Sequence, residues 1–199
     1  VGGIHVEVGE YRLIMLPDGR FVARSREDSP LTERPFVPAT KEELAEQLRQ
    51  GKLADFKTRQ TRRYLYVYDT SEGFAVATSR IMETMFPGVV YHARAQRIDV
   101  HPPELPMVVI MFRTEEQFQE YRRMPPGVVA YYDPVSNHVV MYEESPQRLR
   151  RDLALRQSIS TIAHEGAHQI LHNIGVQQRL SRWPMWISEG LAEFFAPTS

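Results

Sequence analysis

Cysteine is absent from all 199 residues of the chain. That excludes a disulfide framework, thiol chemistry and thiolate-ligated zinc together, while leaving the compartment open. Net charge is nearly absent as well, since 24 Lys and Arg stand against 25 Asp and Glu and leave −1 at pH 7. A balance of that kind gives no electrostatic footprint for nucleic acid or an anionic membrane surface, and neither is expected as a partner. No apolar run approaches the ~18 residues of a membrane span, and no charged-then-apolar leader is present. Internal repeats and low-complexity tracts are missing too. Because the chain opens on Val1 rather than Met, it reads as a trimmed or processed piece. With 42% hydrophobic residues it has material for one good core, or a compact domain with a small appendage.

What is present is a pentad, His164-Glu165-Gly166-Ala167-His168, inside a helical pattern running from about Pro146 to Ile174. Positions i and i+4 of a helix lie one above the other, so the two imidazoles can converge on one metal ion. Glu165 sits one step round the wheel, able to reach a water without being a ligand itself. This is the zinc-hydrolase arrangement, in which a carboxylate takes a proton from water whose pKa the metal has lowered to about 7. With seven histidines in the chain, a chance match to the pentad has a frequency of about 2 per cent, so context must decide. The core face is drawn by Ile159, Ala163, Ala167, Ile170 and Ile174 at helical spacing, and the histidines border that stripe. Solvated surface histidines are the bland alternative.

A second segment, Trp186-Ile187-Ser188-Glu189-Gly190-Leu191-Ala192-Glu193-Phe194-Phe195, suits a short helix with Pro184 near its first turn. A helix, a turn and an antiparallel helix can return Glu189 to the metal as a third ligand and leave the fourth position for water. Gly190 is expected to let the two helix backbones approach closely.

These two motifs resemble the gluzincins, the thermolysin-like zinc metallopeptidases of the peptidase-MA clan, and are similar to a poorly characterised bacterial group of peptidase-MA-like domains of unknown function. The resemblance is carried by residues 158–195. It implies one Zn²⁺ per chain held by His164, His168 and Glu189, with Glu165 as general base and a peptide or protein as substrate. It also implies that Glu193 orients a ligand histidine, where the best-known gluzincins carry Asp. A metzincin pattern would need Gly at 171 and His at 174, where this chain has Leu171 and Ile174. His172 extends the histidine face by another i+4 step and is expected to hydrogen-bond or face solvent rather than ligate. The resemblance leans toward an extracytoplasmic setting.

In chain order, residues 4–8 and 11–23 read as strands with a hairpin turn at Asp18-Gly19, and residues 25–38, with three prolines, as a linker. Thr40-Lys41-Glu42-Glu43 opens a helix through about Gln50. This small β/α region, residues 1–60, is expected to be an accessory element, and residues 61–199 the catalytic domain. Strand 64–68, a helix from Ser71 to Phe86 broken by Pro87-Gly88, and a central strand 107–112 follow. A capped helix from Thr114 to Arg123 leads to a hairpin of 128–133 and 138–142. The fold class is α+β, and by resemblance the order is that of a zincin-like upper subdomain whose edge hairpin, Ala130 to Tyr142, lies over the metal and holds extended substrate. Such enzymes need an oxyanion donor, usually Tyr or His, and Tyr131, Tyr132, His138 and Tyr142 are the candidates. Ten residues follow Glu189, so the lower half of a gluzincin cleft is expected to be missing from this chain, either cut away or never present. Arg148, Arg150, Arg151 and Arg156 open the long helix against its macrodipole and read as a solvated face rather than a phosphate site. The rival function is a zinc-binding module, catalytically weak or inactive, that binds a peptide or protein.

Overall fold

The computed structural model describes residues 1–143, 151–181 and 183–196, with backbone alone over 151–157. Among these residues the chain is α+β, with two sheets and five helices. The smaller sheet is antiparallel in chain order, β1 (Gly3–Val8), β2 (Tyr11–Met15) and β3 (Phe21–Ser25). Its second turn is the Asp18-Gly19 turn expected from sequence, with Gly19 at φ +86°, a conformation that only glycine adopts freely. α1 (Lys41–Leu48) begins at a complete capping box, in which Thr40 Oγ1 accepts from the Glu43 N–H and Glu43 accepts from the Thr40 N–H.

The larger sheet contains β4 (Lys57–Gln60), β5 (Tyr64–Tyr68), β6 (Met107–Phe112), β7 (Ala130–Asp133) and β8 (His138–Tyr142), in the spatial order β4-β5-β6-β8-β7. Pairing is parallel in the middle and antiparallel at both edges. β6 is apolar throughout because both faces are covered. Val108, Ile110 and Phe112 join a cluster with α1 and α3 (Glu115–Tyr121). Met107, Val109 and Met111 join the opposite cluster, beneath α2 (Glu72–Ala95) and α4 (Arg151–Asn173). Residues before Thr61 are shared between the two sheets, since β4 pairs with β5 and Leu44 of α1 packs beside Val67.

α2 corrects one expectation. It runs through Pro87 and Gly88 without ending. Both residues are exposed, so the carbonyl that loses its intrahelical donor at Pro87 can be met by water, while Met82, Phe86, Val89 and Ala93 keep a continuous buried stripe. Burial of the stripe outweighs the local break signal.

α4 carries the pentad, and the part of the expected helix from Pro146 to Arg150, with Arg148, lies outside the described residues. Ile162, Ala163, Ala167, Ile170, Leu171 and Ile174 are buried, whereas Ile159 is half-buried. Gly166 faces α2 so closely that a Cβ there would stand 2.5 Å from Met82 Sδ. The helix ends at Gly175, φ +85°, where any side chain would meet the His101 ring. α5 (Met185–Phe195) then packs back along α4. The close approach expected at Gly190 is not made there, for nothing lies within 4 Å of a Cβ built on it. The intimate glycine contact belongs to α2 and α4.

Candidate metal centre

α4 presents His164 and His168 one turn apart, and α5 brings Glu189 over them. The Nε2 atoms of the histidines are 3.2 Å apart. Glu189 Oε2 is 3.1 Å from His164 Nε2, and its Oε1 is 3.5 Å from His168 Nε2. Tetrahedral ligands bound at about 2.0–2.1 Å sit roughly 3.3–3.4 Å from one another. The three side chains thus already have the mutual spacing of donors to one ion, and they form the cluster able to hold a metal among the described residues. Two imidazoles with one carboxylate also suit a borderline ion such as zinc.

The remaining predicted residues fall into two groups. Glu193, one turn after Glu189, places Oε2 3.3 Å from His164 Nδ1. A proton held there by the carboxylate leaves Nε2 unprotonated and turned toward the cluster. Replacing Glu193 with Gln is expected to weaken divalent-metal affinity by about 10–100-fold in chelator competition, and unchanged affinity would remove it from this role. Glu165 points to the edge strand, where its Oε2 accepts from the backbone N–H of Tyr132 at 2.8 Å. Of the four aromatic candidates, Tyr132 alone faces α4, and its hydroxyl donates to Asn137 Oδ1 at 3.0 Å. Tyr131 and Tyr142 pack on Phe118 of α3, and His138 opens into a recess beside α1. The period-two alternation of the strands turns these three to the far side of the sheet. His172 is half-buried and stacks on the Tyr132 ring, with centroids 5.4 Å apart.

Burial grades across the centre. The His168 side chain is 10% exposed and His164 22%, whereas Glu189 is 53% exposed. The cluster is sealed toward the sheet and open beyond α5. Desolvation pushes the Glu165 carboxyl up to about 7, against the pull of His164 and the Tyr132 N–H, with Glu189 adding to the rise. A carboxyl poised near neutrality accepts and returns protons efficiently at physiological pH. Burial also draws the His168 pKa down, with the Glu189 charge opposing, which favours the neutral imidazole a metal requires. His172 is lowered to about 4, first by burial and then by His168.

A buried polar knot holds the hairpin to α4 and escaped the sequence reading. Asn137 and Asn173 exchange hydrogen bonds of 2.9 and 2.8 Å, and Gln169 Nε2 donates to the Val108 and Asn137 carbonyls. Asn137 sits at φ +64° in the β7–β8 turn. The legible signal was Gln169 and Asn173, amides at i and i+4 on a helix face otherwise apolar.

Residues 158–199 match a family described as "Protein of unknown function (DUF1570)". No curated protein matches the chain. The matched segment holds both parts of the candidate centre, the pentad and the glutamates of α5.

Proposed function

We propose that this chain is a zinc-dependent peptidase of gluzincin type with a zincin-like fold, in which His164, His168 and Glu189 hold one Zn²⁺ and the substrate is a peptide or protein. The observation that carries this reading is the convergence of those three side chains at 3.1–3.5 Å with the Glu165 carboxylate held beside them by Tyr132. Zinc, when bound, supplies Lewis-acid polarisation of a carbonyl and acidifies water. Glu165 then accepts a proton from the attacking water and returns it to the leaving amine. The Tyr132 N–H fixes which way that carboxylate faces, and Glu193 fixes the His164 tautomer. A purely structural zinc needs no such base and commonly fills its fourth position with protein. β7 is an edge strand among the described residues, and apart from the Tyr132 N–H that Glu165 takes, its outer side is open to pairing with an extended substrate.

One observation favours a second reading, a zinc-bound module that binds peptide and cleaves it weakly. Among the four predicted oxyanion donors, none directs a side-chain donor at the cluster. The deciding experiment is incubation of the zinc-loaded full chain with a mixed peptide library and mass spectrometry of the products. Defined new termini that vanish on chelation and return with zinc are expected. Uptake of one zinc without cleavage would favour the second reading, and failure to take up zinc would overturn both.

A further inference from the structure

Glu165, Gln169 and Asn173 stand at i, i+4 and i+8 on α4 and therefore share one face of that helix. All three are polar, while Ala163, Ala167, Ile170 and Leu171 around them are buried and apolar. Each of the three meets the β7–β8 hairpin. Glu165 accepts from the Tyr132 N–H at 2.8 Å, and Gln169 Nε2 donates to the Asn137 carbonyl at 2.7 Å. Asn173 exchanges side-chain bonds of 2.9 and 2.8 Å with Asn137. The hairpin is thus laid along α4 at three points, and the carboxylate is the end one.

Tyr132 ties these points together. Its ring stacks on His172 and on His168, with centroids 5.4 and 6.5 Å away, and its hydroxyl donates to Asn137 Oδ1 at 3.0 Å. That oxygen also accepts from Asn173 Nδ2, so both of its lone pairs are used. The Asn137 residue is 2% exposed, which leaves little water to replace a lost partner. A positioned carboxylate is sensitive to such ties, because a displacement of about 1 Å can cost about 100-fold in rate. The Asn137 backbone is held separately, its N–H donating to the Asp133 carbonyl at 2.8 Å and its φ standing at +64°, a conformation open to glycine as well.

We propose that Asn137 is a positioning residue: with Gln169 and Asn173 it fixes where β7 crosses the pentad, and through Tyr132 it sets the direction of the Glu165 carboxylate. Its effect on rate rests on the peptidase reading, whereas its effect on placement does not.

Asn137→Gly is the test, since glycine keeps the backbone conformation and both backbone bonds and removes only the amide. In the zinc-loaded full chain, kcat for a cleaved library peptide should fall about 10–100-fold, with KM and zinc affinity within about threefold. Tyr132→Phe, which deletes a single hydroxyl, should lower kcat about 3–10-fold with the same split. Leu44→Ala, in the cluster on the far face of the sheet, should lower the unfolding temperature and leave kcat within about twofold. Amide exchange gives a readout without turnover. An edge-strand amide exchanges through local opening, so the Tyr132 N–H should exchange at least about tenfold faster in Asn137→Gly and within about threefold of the parent in Leu44→Ala. Unchanged exchange at Tyr132 in Asn137→Gly would overturn the proposal. So would parental kcat in that variant, or losses of rate and protection that Leu44→Ala reproduces. A parent chain without turnover would sink the peptidase reading alone, and exchange at Tyr132 would still decide whether Asn137 places the carboxylate.

Discussion

Glu165→Gln is expected to lower the rate of peptide hydrolysis by about 10²–10⁴-fold while leaving zinc content near one per chain, the range associated with loss of a positioned proton-transfer group. Gln keeps the size of the side chain, and its carbonyl oxygen can still accept from the Tyr132 N–H, which lies 2.8 Å from Glu165 Oε2. What it removes is the basic site. Burial has raised the Glu165 pKa to about 7, so near neutral pH the native carboxyl interconverts between its two forms, and the amide cannot. The measurement is turnover of a cleaved library peptide, with zinc content and thermal unfolding taken on the same samples. Equal turnover by the two proteins would end the peptidase reading. Loss of turnover together with loss of zinc would instead mean that Glu165 acts on the metal site itself.

Glu189→Ala carries the second large effect, and it falls on binding. His164 and His168 are fixed by a helix buried against the sheet, but two imidazoles alone leave an ion half-coordinated. A change to a group that merely orients a ligand costs about 10–100-fold in affinity, and removing a ligand should cost more than that upper figure. Stability gives an independent readout. Zinc at a thousand times its dissociation constant should stabilise the native chain by about 4 kcal/mol, and the variant should lose most of that at equal zinc concentration. Chelator competition and thermal unfolding with and without zinc measure the two quantities. Unchanged affinity in the variant would place Glu189 outside the coordination set, despite its contacts of 3.1 and 3.5 Å with the two histidines.

The sequence made these residues legible because their signal is local. His164 and His168 share one helix, and Glu189 and Glu193 share another, so spacing alone put each pair on one face. Capping boxes at Thr40 and Thr114 and the Asp18-Gly19 turn were readable for the same reason. Pro87 was misread because its local meaning gives way to the buried stripe on either side of it, which is a tertiary fact. The aromatic candidates were unreadable at the level of facing. Neighbours on a strand point to opposite sides, and only the register of β7 on β8 and the packing of α4 decide which of Tyr131 and Tyr132 meets the pentad. The Asn137–Asn173 pairing joins residues 36 positions apart, so the Gln169 and Asn173 amides on α4 flag a buried polar face but not the partner that meets it.

The contact of Gly166 with Met82 bears on how the pentad itself should be understood. Written as H-E-x-x-H it looks like three committed letters and two wildcards. In this chain the wildcards have neighbours too, one seated where an added methyl would displace the end of the Met82 side chain, the other a fully enclosed alanine. A pentad grafted onto a foreign scaffold would carry its reagents without the α2 surface that Gly166 packs against here or the enclosure around Ala167.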